Sequence, residues 1–272
     1  MNLVKSILTK NPCYTSGRKI NVKGLMLHSV GCPQPSAQAF IKMWNKASYK
    51  TACVHGFIDA NDGTVYQTLP WNHRGWHGGG TSNNTHIGVE ICEPSCIKYI
   101  GGSNFVCSDF AAARASVKRT YEAAVELFAY LCKEYNLNPL ADGVIVSHKE
   151  GCARGIASNH GDPEHLWKGL ETGYTMNKFR NDVKNKMDGG LTMSQYEELK
   201  NEISTLKESI ETLKKSKEKV YNYVSELPDW GRPTIEKLMG KGLYKGASAS
   251  DLNLPESLLR TLVINDRAGL YD

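Results

Sequence analysis

The chain has 272 residues, 40% hydrophobic and 22% charged, with a formal net charge of +5. This length buries a sizeable core and suits one main domain with an appendix, and no run of about 18 apolar residues is present to span a membrane. The positive charge sits in the front part: residues 191–272 hold 12 Lys and Arg against 13 Asp and Glu, leaving 21 against 15 before them, which suits an acidic polymer partner; no Lys/Arg-rich helix or aromatic-basic strand motif is present, which argues against nucleic acid.

The opening stretch Met1–Lys10 lacks the long apolar segment and small-residue cleavage site of a secretion signal, so synthesis in the cytoplasm without a signal peptide is expected. The first strand-like run is Gly24-Leu-Met-Leu-His28, which ends in a histidine. Ser36 is placed to cap a helix reaching Trp44, with Ala39, Phe40, Met43 and Trp44 on one side. Val54–Asp59 and Thr64–Leu69 flank Asn61-Asp-Gly63, a strong hairpin signal. Gly75-Trp-His-Gly-Gly-Gly80 is a loop able to approach a ligand closely, with Trp76 offering a flat face. His86–Ile91 alternates Ile87, Val89 and Ile91 against small or polar neighbours, as a strand does.

A long helix is predicted from Asp109 to about Tyr135, apolar at Val117, Tyr121, Ala124, Val125, Phe128 and Leu131. A strand at Val144–His148 and a last helix near Met176–Met187 complete the domain. The fold class expected is α/β, a mixed central β-sheet flanked by helices, over residues 1–188. All eight cysteines precede residue 153 without the spacing of a disulfide framework, and read as reduced, mostly buried thiols. Cys92 and Cys96 lack the matching pair that a second metal site needs.

The stretch Ser147–Trp167 gathers His148, Cys152, His160, Asp162 and His165 in a Gly-rich loop closed by Asp-Pro. These are residue types that zinc binds. A further ligand has to come from another strand, and His28 stands at such a strand end. Two strand-end histidines with an aspartate leave the fourth position open, the catalytic rather than the structural arrangement of zinc.

Asp188-Gly-Gly190 reads as a flexible joint. Beyond it Leu199, Ile203, Leu206, Ile210, Leu213, Lys217, Val220, Val224 and Leu227 alternate by four and three. With Ile203 at a, β-branched residues fall at a and leucines mostly at d, the pattern of a parallel dimer, while Lys217 at a sets register. A coiled-coil helix over 189–227 and a homodimer through residues 196–227 are therefore expected, with Glu202 at g and Lys207 at e pairing between chains. A helix folded back on its own chain is the alternative. Pro228 stops the helix, and a small helical module fills 228–272.

Six landmarks occur in order: Leu27-His28-Ser29; Val54-His55-Gly56-Phe57-Ile58-Asp59 with Asp62-Gly63-Thr-Val-Tyr66-Gln67; Gly75-Trp76-His77-Gly78-Gly79; His86-Ile87-Gly88-Val89-Glu90; Ser147-His148; and Asp162-Pro163 with Trp167. Over about residues 20–185 they resemble the zinc-dependent N-acetylmuramoyl-L-alanine amidases of the type-2 amidase and peptidoglycan-recognition fold, particularly phage or prophage lysins of Gram-positive bacteria. The resemblance implies that Zn2+ is held by His28, His148 and Asp162, and that Glu90 is the catalytic carboxylate. It puts His160 where the family often carries a lysine, and there an imidazolium can stabilise a developing oxyanion. His77 matches a position lining the substrate groove, beside Trp76. Arg154–Asn159 is an apparent insertion, which leaves Cys152 and His160 as alternatives to Asp162.

The activity implied is hydrolysis, by zinc-activated water, of the amide between the lactyl group of N-acetylmuramic acid and L-alanine in bacterial peptidoglycan, in the service of lysis after release from the cytoplasm. A binding-only module of the same fold and a zinc peptidase cutting the stem peptide are the alternatives. The tail distantly resembles one surface-layer-homology motif, which implies anchoring to the cell wall.

Overall fold

The computed structural model describes residues 1–191, 193–216, 218–245 and 251–272. They form two compact units, Met1–Tyr196 and Glu197–Asp272. No helix among the described residues is long and apolar enough to cross a membrane.

In the first unit the elements run β1 (Leu3–Lys5), α1 (Pro12–Thr15), β2 (Gly24–Ser29), α2 (Ala37–Trp44), β3 (Gly56–Ile58), β4 (Val65–Gln67), β5 (His86–Ile91), β6 (Ile97–Gly101), β7 (Asn104–Cys107), α3 (Phe110–Glu134), β8 (Ile145–Ser147), α4 (His148–Ala153), α5 (Glu164–Gly169) and α6 (Met176–Met187). Then come α7 (Met193–Ser216), β9 (Val220–Tyr221), α8 (Arg232–Gly240), β10 (Leu254–Pro255) and α9 (Glu256–Arg267).

The main sheet has the order β1-β4-β3-β5-β2-β8 and is mixed, as expected: β2 pairs in parallel with β5 and β8, while β3 and β4 are antiparallel. The β3–β4 hairpin turns at Asn61-Asp-Gly63, where Gly63 takes a positive φ of 76° and Asp62 accepts the Thr64 N–H. β2 is buried along its whole length, as an interior parallel strand must be.

The strand alternation sorts side chains to two faces. Leu25 and Leu27 of β2 and Ile87, Val89 and Ile91 of β5 enter one core with Val117, Tyr121, Val125 and Phe128 of α3 and Phe179 of α6. The other face carries a second core, in which Phe40 and Trp44 of α2 meet Phe57 of β3. Phe57, Phe128 and Phe179 are fully buried, each contributing roughly 2–3 kcal/mol by removal from water. Asp109 caps α3 through the Ala112 N–H.

Several expectations need correction. Ser36 occupies the cap position of α2, but the hydrogen bond comes from Asp59, which accepts the Ala37 N–H at 2.8 Å. The helix buries Ala37, Phe40 and Trp44, leaving Met43 44% exposed. The Ser147–Trp167 stretch is not one loop. Its start is a capping box, with Ser147 and Glu150 satisfying each other's backbone, so His148 opens a helix rather than ending a strand. The β6–β7 hairpin and β1 were not anticipated.

The heptad helix ends at Ser216 rather than reaching Leu227; Lys217 lies outside the described residues. Along α7, Tyr196, Leu199, Ile203, Leu206, Ile210 and Leu213 are between 43% and 68% exposed. Val220 pairs instead in the β9–β10 ladder, and Leu227 is buried with Tyr221, Ile235, Leu252, Leu254, Leu259 and Val263 in the core of the second unit. Burial of Val220's strand and of Leu227 in that small core outweighs the heptad pattern there.

Candidate metal centre and catalytic cavity

β2, β5 and β8 are neighbouring parallel strands, so their carboxyl ends open on one side, the usual place for a site in such sheets. His28 is the penultimate residue of β2, Glu90 the penultimate residue of β5, and the two are register partners. His148 follows β8 directly on the other side of β2. Asp162, at the start of a cis Asp162–Pro163 bond, reaches in from the segment between α4 and α5.

His28 Nδ1 and His148 Nδ1 are 3.0 Å apart, and the Asp162 carboxylate lies 3.3 Å from the first and 3.4 Å from the second. All three residues are buried, and they are the one such group among the described residues. A tetrahedral ion with bonds of about 2.0–2.1 Å has ligand-to-ligand edges of about 3.3 Å. The triangle matches that size. Two imidazole lone pairs facing each other across 3.0 Å repel unless a proton or a cation lies between them. The donor set therefore fits a metal ion.

The rings are held by their other nitrogens. His77 Nε2 donates to the His86 carbonyl at 3.0 Å, which leaves His77 Nδ1 to accept from His28 Nε2, also at 3.0 Å. The His28 proton thereby sits on Nε2 and its Nδ1 lone pair turns toward the triangle, the outer-shell orientation metal-binding histidines need. The His77 ring lies against β5, where a Cβ at Gly88 would stand 2.3 Å from His77 Cγ. Burial lowers the pKa of both His28 and His77. Burial alone pushes Asp162 up, but the His148 and His28 imidazoles beside it outweigh this and hold its carboxyl well below the usual carboxylate range.

Glu90 is half-buried, and its Oε2 is enclosed with no hydrogen-bond partner. Burial, then the charges of Asp162 and Glu93, raise its pKa well above the ordinary value. A carboxyl held in this way is suited to taking and returning a proton.

Glu90, His148 and Asp162 line a cavity of about 780 Å³ together with Trp76, His77, Tyr99, Ser158, His160 and His165. His160 is exposed, its ring tilted by 46° against that of His148 at 4.5 Å. Trp76 is 51% exposed on the rim. Cys152 is drawn to Asn159 and is not in the ligand triangle.

Of the glycines after His77, Gly79 is exposed and lines the cavity, and the loop packs closely against the segment after α4. A Cβ at Gly80 would meet the Ile156 carbonyl at 2.4 Å and one at Gly79 the Ser158 hydroxyl at 2.7 Å, so the loop is closed by the Arg154–Asn159 segment. Two wall elements had no signal that sequence reasoning used. The β6–β7 hairpin brings Tyr99, whose hydroxyl lies 2.8 Å from Glu93 and 2.6 Å from His165. Ser158 enters from the apparent insertion.

His55 faces inward behind His77. Its Nδ1 accepts the Gly88 N–H and its Nε2 donates to the His73 carbonyl at 2.7 Å. Burial pushes its imidazole down to about 4. The unfolded chain, with its histidines near 6.5, takes up a proton that the native state refuses. Native stability is therefore full above about pH 6.5 and falls as the pH drops toward 4, by roughly 3 kcal/mol from His55 alone. Urea midpoints measured from pH 7 to pH 4 are expected to show this decline; a flat profile across that window would rule it out.

A family model described as N-acetylmuramoyl-L-alanine amidase matches residues 17–165. Among solved structures, the Staphylococcus aureus hydrolase AmiA, in complex with its ligand, is similar with a TM-score of 0.51 at 18% identity, over 69% of this chain and 83% of that one. A mutant endolysin from Bacillus subtilis is 22% identical with a TM-score of 0.45, over 67% of this chain and 99% of that one. An N-acetylmuramoyl-L-alanine amidase, LysC, from Clostridium intestinale URNW is 19% identical with a TM-score of 0.32, over 56% and 87%. No curated protein matches the chain.

Proposed function

The chain belongs to the N-acetylmuramoyl-L-alanine amidase family, and from that premise we propose that His28, His148 and Asp162 hold a zinc ion, with Glu90 and His160 as the catalytic pair. The enzyme hydrolyses the amide between N-acetylmuramic acid and L-alanine in peptidoglycan. The observation that carries the residue assignment is the convergence of two Nδ1 atoms and a carboxylate within 3.4 Å, beside an unpartnered Glu90 oxygen.

Zinc bound there would polarise the scissile carbonyl and acidify the attacking water. Glu90 takes the proton that water gives up as its oxygen bonds to the carbonyl carbon. Glu90 then delivers that proton to the alanine nitrogen as the C–N bond breaks, so the peptide leaves as a neutral amine. His160, on the cavity wall, donates a hydrogen bond to the carbonyl oxygen as charge builds on it. Trp76 and His77 border the groove that receives the polymer, and His77 also keeps His28 in its ligand tautomer. The net positive charge of residues 1–190 favours approach to an anionic wall.

Mass spectrometry of purified wall after digestion tests this reading. Free N-terminal alanine peptides and unmodified lactyl groups are expected, and a chelator is expected to abolish them. New termini inside the stem peptide would point to a peptidase, and wall binding without any cleavage to a binding module.

The remaining segments serve assembly and anchoring in this reading, with the catalytic domain at 1–188, the coiled-coil segment after it and the wall-binding module at 228–272. A second copy covers the exposed stripe of α7, with Glu202 facing Lys207 of its partner. Light scattering is expected to give a dimer mass, and charged residues at Ile203 and Ile210 a monomer; a monomeric parent chain excludes this arrangement. Removing residues 228–272 is expected to weaken retention on wall sediment.

A further inference from the structure

Ser158 lies on Arg154–Asn159, the segment by which this chain departs from the family pattern. Its backbone N–H donates to the Gly78 carbonyl at 2.7 Å, and upstream the Ile156 carbonyl accepts the Ser82 N–H at 3.0 Å. The close fit over Gly79 and Gly80 holds the segment against the loop that carries His77. The Ser158 hydroxyl is thereby set 3.1 Å from His148 Nε2, 3.1 Å from His160 Nδ1 and 3.3 Å from the Gly78 carbonyl.

Proton counting orients this cluster. His148 presents Nδ1 to the ligand triangle as a lone pair, so its ring proton is on Nε2 and is donated to Ser158. The hydroxyl has one proton of its own, and the Gly78 carbonyl, 3.3 Å away, can only accept it, so His160 Nδ1 donates to the hydroxyl at 3.1 Å. The His160 ring is thereby held through Nδ1, with Nε2 the nitrogen remote from Ser158.

We infer that Ser158 is a positioning residue of the amidase site, whose hydroxyl links the ligand His148 to His160 and sets the tautomer of both. The inference rests on the metal-site reading above. It makes the inserted segment part of the site.

The test uses the full chain, loaded with zinc. Ser158→Ala is expected to weaken zinc binding about 10–100-fold in competition with a chromophoric chelator, and to lower kcat with KM within about twofold. Arg154→Ala, which removes only the exposed pair with Asp142 at the start of the same segment, is expected to match the wild type in both. Long-range proton–nitrogen correlation on the unmutated protein is expected to place the His148 proton on Nε2 and a His160 proton on Nδ1. Wild-type zinc affinity and kcat in Ser158→Ala, an equal loss in Arg154→Ala, or a His160 Nδ1 without a proton would each overturn the inference. A wild-type chain that takes up no zinc would instead sink the metal-site reading, so the two failures are distinct.

Discussion

Replacing Glu90 with glutamine lowers kcat for wall hydrolysis by roughly 100- to 10,000-fold, the span of general acid–base catalysis, while zinc content stays at the wild-type level. Glu90 is a register partner of His28 but not one of the three converging ligands. An amide of the same shape keeps the packing and removes the carboxyl proposed to carry the proton from water to the leaving nitrogen. Stability is expected to hold or rise, because burial together with the charges of Asp162 and Glu93 disfavours the ionised carboxyl, and glutamine relieves that cost. Stopped assays on purified wall, paired with metal analysis, check both halves. A kcat within about tenfold of wild type, with zinc retained, would remove Glu90 from the proton path.

Asp162→Asn has the second large effect, and it strikes the ion rather than the proton. The carboxylate is the only anionic member of the triangle, held ionised against its burial by the two imidazoles beside it. Asparagine leaves two neutral nitrogen donors at 3.0 Å and a weaker oxygen. Zinc affinity is expected to fall by at least about 100-fold, and activity with it at limiting metal. Chelation of the wild type should reproduce the loss, and added zinc should reverse it. An ion bound only by the folded chain also stabilises it, so its removal is expected to lower stability, by about 4 kcal/mol if free zinc had been about 1,000 times Kd. Calorimetric scans with and without chelator read this directly. Asp162→Asn with wild-type zinc affinity would reassign the third ligand, with His160 the nearest replacement.

Much of the fold was legible because its signals are local. The alternation at Ile87, Val89 and Ile91, the turn at Asn61-Asp-Gly63 and the apolar face of α3 each lie within one element, and each took the expected form. The residues that converge, His28, His148 and Asp162, were legible as candidates through residue type and landmark order. Ser147-His-Lys-Glu150 was legible in principle as a capping box, yet the density of ligand-type residues around it made the stretch look like a loop. The heptad pattern failed past Ser216 because Val220 and Leu227 found a nearer core.

The sequence by itself determined which chemistry is present: residue types, periods and ordered landmarks name a sheet, three metal-type ligands and a carboxylate. Only the tertiary structure decided which nitrogen of each histidine does what. His77 sits 49 residues from His28, His28 sits 120 from His148, and Ser158 sits 80 from Gly78. A tautomer is set by a hydrogen-bond partner, and partners that far apart in the chain meet only after the sheet has brought their strands together. The same reason hides the β6–β7 hairpin and the contacts of the inserted segment from the sequence. Their meaning lies in what they touch.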